Sequence, residues 1–134
     1  MIQRVQSIWL LLASLTLFLL LLLPVVTFPA DAPATPAPSV LLYGTLVVGL
    51  VCFIAIFCFN NRSLQKKIIL LAIILILALC AGTYFTLQQL PGGLTGAKPS
   101  IGAFLPVLSI IFCLLAYRGI RHDEQLLRSA DRLR

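Results

Sequence analysis

The stretch that decides the fold is Ile68–Leu87, which reads IILLAIILILALCAGTYFTL and contains no Asp, Glu, Lys, Arg or His. A helix of about 20 apolar residues is long enough to cross the ~30 Å hydrocarbon core of a bilayer. A spanning β-strand would alternate apolar and polar residues, and this run is continuous. The stretch therefore predicts a membrane-spanning α-helix.

Three other runs have the same character and also lack ionisable residues: Val5–Leu23, Val40–Phe59 and Ile101–Tyr117. Of the 134 residues, 60% are hydrophobic and only 10% are charged, which is far from the composition of a soluble domain. The sequence predicts an all-α fold, a four-transmembrane-helix bundle over residues 1–117. Residues 118–134 are predicted to form a C-terminal cytoplasmic amphipathic helix.

The basic residues are distributed asymmetrically around these runs. One side, made up of the two chain termini and the connection between the second and third runs, carries nine of them: Arg4, Arg62, Lys66, Lys67, Arg118, Arg121, Arg128, Arg132 and Arg134. The other side carries only Lys98. Because cytoplasmic loops are enriched in Lys and Arg, both termini are predicted to be cytoplasmic. This placement also favours contact with membrane lipid over nucleic acid as the reason for the net charge of +6.

The C-terminal segment combines an apolar face with arginines. Leu126, Leu127, Ala130 and Leu133 follow the i, i+1, i+4, i+7 spacing of one helical face. Two interpretations remain open. The helix could lie on anionic lipid through its arginines. Alternatively, the apolar face could enter a protein groove while Arg121, Arg128 and Arg132 pair with acidic groups. Arg4 is predicted to lie on the same side and could form one partner or lipid contact surface with this segment.

Small residues predict close packing between helices. Thr45 and Gly49, Ala78 and Gly82, and Ser109 and Cys113 are each four residues apart, a spacing that lets helix backbones approach closely. Such contacts could form within the bundle or with another subunit. Pro106 lies inside the fourth run and predicts a helix kink there, because proline removes one backbone hydrogen bond.

No residue pattern indicates catalysis, a cofactor or a metal. The four cysteines lie inside the runs without a CxxC pair, and His122 has no neighbouring nucleophile with an orienting group. Asp123 and Glu124 are adjacent, so they point in different directions on a helix. We therefore expect no enzyme activity, no cofactor, no nucleic-acid partner and no small-molecule substrate.

Both ends of the chain resemble a known family. The opening Met1–Ser7 (MIQRVQS) and the closing Asp123–Arg134 (DEQLLRSADRLR), with four apolar runs between them, resemble small membrane proteins of unknown function from Bacteroidota. The resemblance implies a four-helix topology in the bacterial inner membrane. It implies no activity and no catalytic residue.

These observations lead to one functional expectation and one alternative. The chain is expected to be an accessory or scaffolding subunit of a larger membrane assembly, docking through its C-terminal helix onto other membrane protein subunits. The alternative is a small transporter or lipid-handling protein, whose cavity would lie near Gly102, Pro106 and Ser109 on a kinked fourth helix.

Overall fold

The computed structural model describes residues 2–27, 39–89 and 98–134, and in these residues the chain forms four α-helices. The helices are α1 (Ile2–Leu20), α2 (Ser39–Phe57), α3 (Arg62–Gln88) and α4 (Leu105–Arg132). Short 3-10 turns, Cys58–Asn60 and Ile101–Phe104, precede α3 and α4. Two two-residue strands, β1 (Val26–Thr27) and β2 (Lys98–Pro99), pair antiparallel. The all-α fold predicted from the sequence is confirmed.

The helices form a closed ring in which α1 contacts α2 and α4, and α3 also contacts α2 and α4. Neighbouring helices run in opposite directions. Gln6 near the start of α1 contacts Asp123 in the second half of α4, whereas Val25 after α1 contacts Ser100 before α4. The bundle therefore has two distinct ends. The basic end comprises Gln6, residues 60–67 and residues 118–124, and the strand end comprises residues 21–27 and 98–104.

The core of the ring combines a few large apolar side chains with many small ones. Its buried members include Leu10, Leu17, Ile69, Ile76, Ile120, Ala13, Ala55, Ala72, Ala116, Cys52 and Cys113. Buried hydroxyls donate to carbonyls of their own helix, as Thr16 Oγ1 does to Ala13 O at 2.8 Å and Ser109 Oγ to Pro106 O at 2.8 Å. These bonds satisfy the hydroxyls locally, so the helices pack closely without polar partners across the core.

Large apolar side chains cover the outside of the ring. Exposed residues include Ile8, Leu15, Val47, Ile54, Leu70, Ile74, Leu77, Phe85, Val107, Ile111 and Leu114, with members on every helix. Soluble monomers seldom expose contiguous apolar surface on this scale. Small side chains inside and large apolar ones outside is the arrangement expected of helices that pack in lipid.

Two helices, Arg62–Gln88 and Ile101–Arg132, are long and apolar enough to cross a membrane, while the apolar helices Val5–Leu20 and Leu41–Phe57 are shorter. Length and composition alone are weak support, because the core helix of a soluble protein passes the same test. Such a core helix would be mostly buried, however. Only 22% and 33% of the most apolar windows of these two helices are buried inside the protein.

The fourth helix begins later than its apolar run. Residues 101–104 form a 3-10 turn and the α-helix begins at Leu105, so Pro106 lies in its first turn. Proline fits this position because the N–H that it lacks would have no helical partner there. In place of a kink inside the helix, the structure has a change from 3-10 to α at its start. The helix then continues without a break past Tyr117 to Arg132, so the C-terminal helix predicted from the sequence continues directly from the fourth run.

The strand end is closed by backbone contacts between the chain after α1 and the chain before α4. Val26 pairs with Pro99 and Thr27 with Lys98, and Ser100 N donates to Val25 O at 3.1 Å. Gly102 is buried directly against Pro24. A Cβ added at Gly102 would lie 2.5 Å from the Pro24 carbonyl oxygen, closer than real Cβ contacts come. Only glycine permits this approach.

The two glycines Gly102 and Gly82 provide a matched test of this packing. Gly102→Ala is expected to destabilise the protein by about 1–3 kcal/mol, because backbone at Pro24 must move. A Cβ at Gly82 in α3 would meet nothing within 4 Å. Gly82→Ala is therefore expected to stabilise the helix by about 0.5–1 kcal/mol. SDS titration of the protein in mixed micelles measures both. Equal effects of the two substitutions would contradict the close approach at Gly102.

Candidate interaction surface at the basic end

A buried hydrogen bond joins the first and last helices at the basic end. Gln6 Nε2 donates to Asp123 Oδ2 at 2.7 Å, and each residue is only 7% exposed. Gly119, one turn before Asp123, lets the Gln6 side chain lie against α4, since an added Cβ there would meet Gln6 Cγ at 3.1 Å. A hydrogen bond to a charged acceptor is stronger than one between neutral groups. This contact positions the second half of α4 against α1.

An ion pair joins α3 to α4 at the same level. Lys66 Nζ lies 2.7 Å from Glu124 Oε2, and the two side chains are 25% and 26% exposed. The hydrogen bond from Lys66 lowers the pKa of the Glu124 carboxyl, and the charges of Lys66, Arg128 and Arg62 act in the same direction against a smaller opposing effect of desolvation. Glu124 is therefore ionised at neutral pH. Partly exposed pairs of this kind contribute modestly to stability.

The junction of α2 and α3 is closed by Gln65. Its Nε2 donates to Ala55 O at 3.2 Å, and the side chain is 3% exposed. Ala55 lies in the last turn of α2, so this amide binds α2 near its end and holds the start of α3 against it. Together with the other two contacts, it links all four helices at the basic end.

Asp123 and Glu124 act on different neighbours because adjacent helical residues point about 100° apart. Asp123 contacts α1 and Glu124 contacts α3. The two carboxylates therefore anchor α4 on both sides and do not form an acid–base pair. Asp123 and Glu124 are also the two acidic residues that belong to the basic end. Among the described residues, only Asp131 supplies a further carboxylate, and Asp31 lies outside them.

Beyond Glu124 the helix leaves the bundle. All residues from 125 to 134, the projecting segment, are exposed. Its leucines stand largely free, with Leu126 at 45%, Leu127 at 51% and Leu133 at 90% exposure. Ala130, Arg128 and Arg132 are exposed on the same segment. Arg4 belongs to the first turn of α1, and its side chain lies outside the described part of the structure.

Four arginines form a stripe along α4: Arg118, Arg121, Arg128 and Arg132, all exposed. At 100° per residue, they fall within an arc of about 80° on the helix surface. The same geometry places Asp123 and the core-facing Ile120 on the opposite side. The arginine stripe, as these four residues are called below, therefore faces away from the bundle.

The residues predicted to pack helices together separate into two groups. Thr45, Gly49, Ser109 and Cys113 are buried in the bundle, with Gly49 against the Phe18 ring and Cys113 in contact with the thiol of Cys52. Ala78 is exposed, and Gly82 has open space around it. Spacing alone could not separate the pairs, because it does not indicate which face of α3 meets a neighbour. Within the bundle, Ala78 and Gly82 therefore do not bring two backbones together.

The sequence did not indicate the two glutamines that link the helices. Gln6 falls inside an apolar run and Gln65 inside a short connection, and their amides stand out only as polar groups beside spans. A search restricted to ionisable residues overlooks them. Gln6 contacts Asp123, 117 positions away, and Gln65 contacts Ala55 in the preceding helix. The spacing of residues along the chain does not reveal either contact.

The described residues contain no metal-binding cluster of three or more His, Cys, Asp or Glu. Gly102, Pro106 and Ser109 are buried in the bundle. One groove of about 540 Å³ lies between α2 and α3 and is lined by Ser39, Tyr43, Gly44, Val47, Val48, Leu75, Ala78 and Leu79. It opens on the apolar outside of the ring.

Fold and surface together define a small helical protein with an apolar exterior and one basic, protruding end. Residues 34–133 match the model of a domain of unknown function, DUF4293, so the chain belongs to that family. This confirms the resemblance to an uncharacterised family, and the match covers most of the closing motif but not the opening one. No curated protein matches the chain significantly. No solved structure does so either.

The buried contact between Gln6 and Asp123 can be tested by substitution. Asp123→Ala leaves the Gln6 amide buried without an acceptor, and we expect a loss of about 1–3 kcal/mol in the free energy of unfolding. Asp123→Asn retains a carbonyl oxygen in the same place and should cost less. SDS titration of both variants measures the difference. An alanine variant as stable as the asparagine variant would contradict the role assigned to this bond.

Proposed function

We propose that this protein is an integral membrane protein whose four helices all span the bilayer. The apolar exterior of the ring supports this, because it extends over α1 and α2 as well as over the two longer helices. A helix of 19 residues, such as α1 or α2, is about 28 Å long, close to the thickness of a bilayer core. Because the four helices form a closed ring, the two shorter helices lie in the same medium as the two longer ones.

We further propose the bacterial inner membrane, with both termini in the cytoplasm. The resemblance of the two chain ends implies the compartment, and the positive-inside rule supports the orientation. Arg62, Lys66, Lys67, Arg118 and Arg121 all belong to the basic end, whereas Lys98 belongs to the strand end.

Labelling with a membrane-impermeant maleimide tests this topology. The Ser129→Cys variant should react in inside-out vesicles and not in spheroplasts, and the Ser39→Cys variant should show the reverse. Both substitutions are made together with Cys58→Ser, because Cys58 is partly exposed near the basic end. The proposed topology has three crossings between Ser39 and Ser129, so the two positions lie on opposite sides. Labelling of both positions from the same side would contradict it.

The proposed role is that of a non-enzymatic accessory or scaffolding subunit, which docks onto other membrane protein subunits through the projecting segment. The observation that carries this proposal is the unbroken continuation of α4 beyond the bundle, with its leucines exposed. The contacts of Asp123 and Glu124 hold the base of this segment on two sides. A rigid base reduces the conformational entropy that a docking helix loses on binding.

The direction of α4 favours a protein partner over lipid for the leucine face. In the proposed topology, the membrane boundary on α4 lies at Arg118, the first charged residue after the fourth apolar run, and Leu127 lies about 13 Å further along the helix at 1.5 Å per residue. The headgroup layer of one leaflet is only about 5–8 Å thick. For an unbroken helix that crosses along the bilayer normal, the leucines extend past the headgroups into the cytoplasm, where an apolar groove of another protein could cover them.

Deletion of residues 126–134 tests this docking role. Ending the chain at Gln125 keeps Asp123 and Glu124, so the bundle should retain its stability. We expect full-length tagged protein in mild detergent to migrate within a larger complex on a native gel, and the shortened protein to migrate alone.

A full-length variant with Leu126, Leu127 and Leu133 all replaced by alanine is the matched control for chain length, and it should behave like the deletion. If full-length and shortened proteins migrate identically, the docking role is wrong. The groove between α2 and α3 would then favour the second candidate function, a lipid-handling protein that receives an acyl chain on its apolar side.

A further inference from the structure

We propose that the arginine stripe binds an acidic segment of the docking partner, which rests on the proposed function because the stripe shares its helix with the leucine face. The first argument is charge. The two carboxylates closest in sequence to the stripe point elsewhere, Asp123 to Gln6 and Glu124 to Lys66. In the projecting segment, Arg128, Arg132 and Arg134 outnumber the single carboxylate of Asp131. In the fold, Asp123 is thus turned away from the stripe, and Glu124, which lies one turn before Arg128, is hydrogen-bonded to Lys66.

The second argument is distance from the membrane. Arg118 and Arg132 are about 21 Å apart along the helix at 1.5 Å per residue. Side chains at the membrane boundary, Arg118 and Arg121, can reach anionic headgroups. In the proposed orientation, Arg128 and Arg132 lie further from the membrane than the headgroup layer, and both side chains are exposed. An anionic group on a cytoplasmic partner can therefore pair with them.

The third argument selects the partner. A second copy of this chain would present the same arginines and repel the stripe. Arginine pairs with carboxylates through two parallel hydrogen bonds, which gives directional recognition. A segment with Asp or Glu spaced to meet Arg121, Arg128 and Arg132, and apolar residues for Leu126 and Leu127, satisfies both faces of α4. The occupant is therefore an acidic, amphipathic protein segment.

The test uses full-length protein in nanodiscs of neutral lipid and two synthetic helical peptides. One peptide carries leucines on one face and glutamates on the other, and the second has lysine in place of each glutamate. Fluorescence anisotropy measures binding. We expect only the glutamate peptide to bind, with an affinity that falls at least tenfold when Arg128→Glu and Arg132→Glu are introduced together. The affinity should also fall with increasing salt, because exposed charges are screened.

The matched control is Arg62→Glu with Lys67→Glu, which changes the net charge of the same end by the same amount. It should alter the affinity less than threefold. Equal losses for the two charge reversals would indicate non-specific attraction and overturn the proposal. Equal binding of both peptides would also overturn the proposal. So would loss of binding when 30% anionic lipid is added to the nanodisc, because lipid would then occupy the stripe.

The native assembly separates this inference from the proposed function. If Arg128→Glu with Arg132→Glu releases the protein from its complex as the deletion of residues 126–134 does, both stand. If the deletion releases it and the charge reversal does not, docking stands and the acidic partner is wrong. If neither releases it, both are overturned.

Discussion

The structure depends on the contact of α1 with α4, which closes the ring of helices. Each end of this contact is secured differently. At the basic end, a buried amide donates to a buried carboxylate, and at the strand end, backbone from the two chain segments pairs directly. Between these ends the Trp9 and Phe112 rings stack with centroids 5.8 Å apart. Without this closure, α1 would be held only by α2, and the core face of α4 would be open.

Closure at the basic end also determines what the second half of α4 exposes. The side chains of Asp123 and Glu124 contact helices on two sides of α4, so α4 continues past the bundle from a fixed base. Beyond that base, apolar and basic residues occupy separate faces of an exposed helix. Contacts within the bundle and an exposed surface thus follow each other directly along α4. The position of the projecting segment depends on the packing of the first helix.

The proposed membrane location gives the character of the core a physical explanation. Large apolar side chains in lipid gain little by moving to the inside, so close approach and dispersion contacts decide which residues meet. Thr45, Ser109, Cys52 and Cys113 are buried because they are small, and their helices supply acceptors for the hydroxyls. The spacing of small residues predicted close contacts between helices, and the pairs Thr45 with Gly49 and Ser109 with Cys113 are buried. It could not indicate the orientation of α3, whose small pair at Ala78 and Gly82 faces outward.

The sequence by itself determined the helical class, the approximate position of each helix and the charge asymmetry between the two ends. These properties are local: they follow from continuous apolar runs and from the residues that interrupt them. Only the tertiary structure decided which residues meet across the ring. Gln6 and Asp123 are separated by 117 positions and Lys66 and Glu124 by 58, so no periodicity along the chain relates them. The tertiary structure also decided that α4 continues without a break after Tyr117, because the residues that hold its second half, Gln6 and Lys66, lie on two other helices.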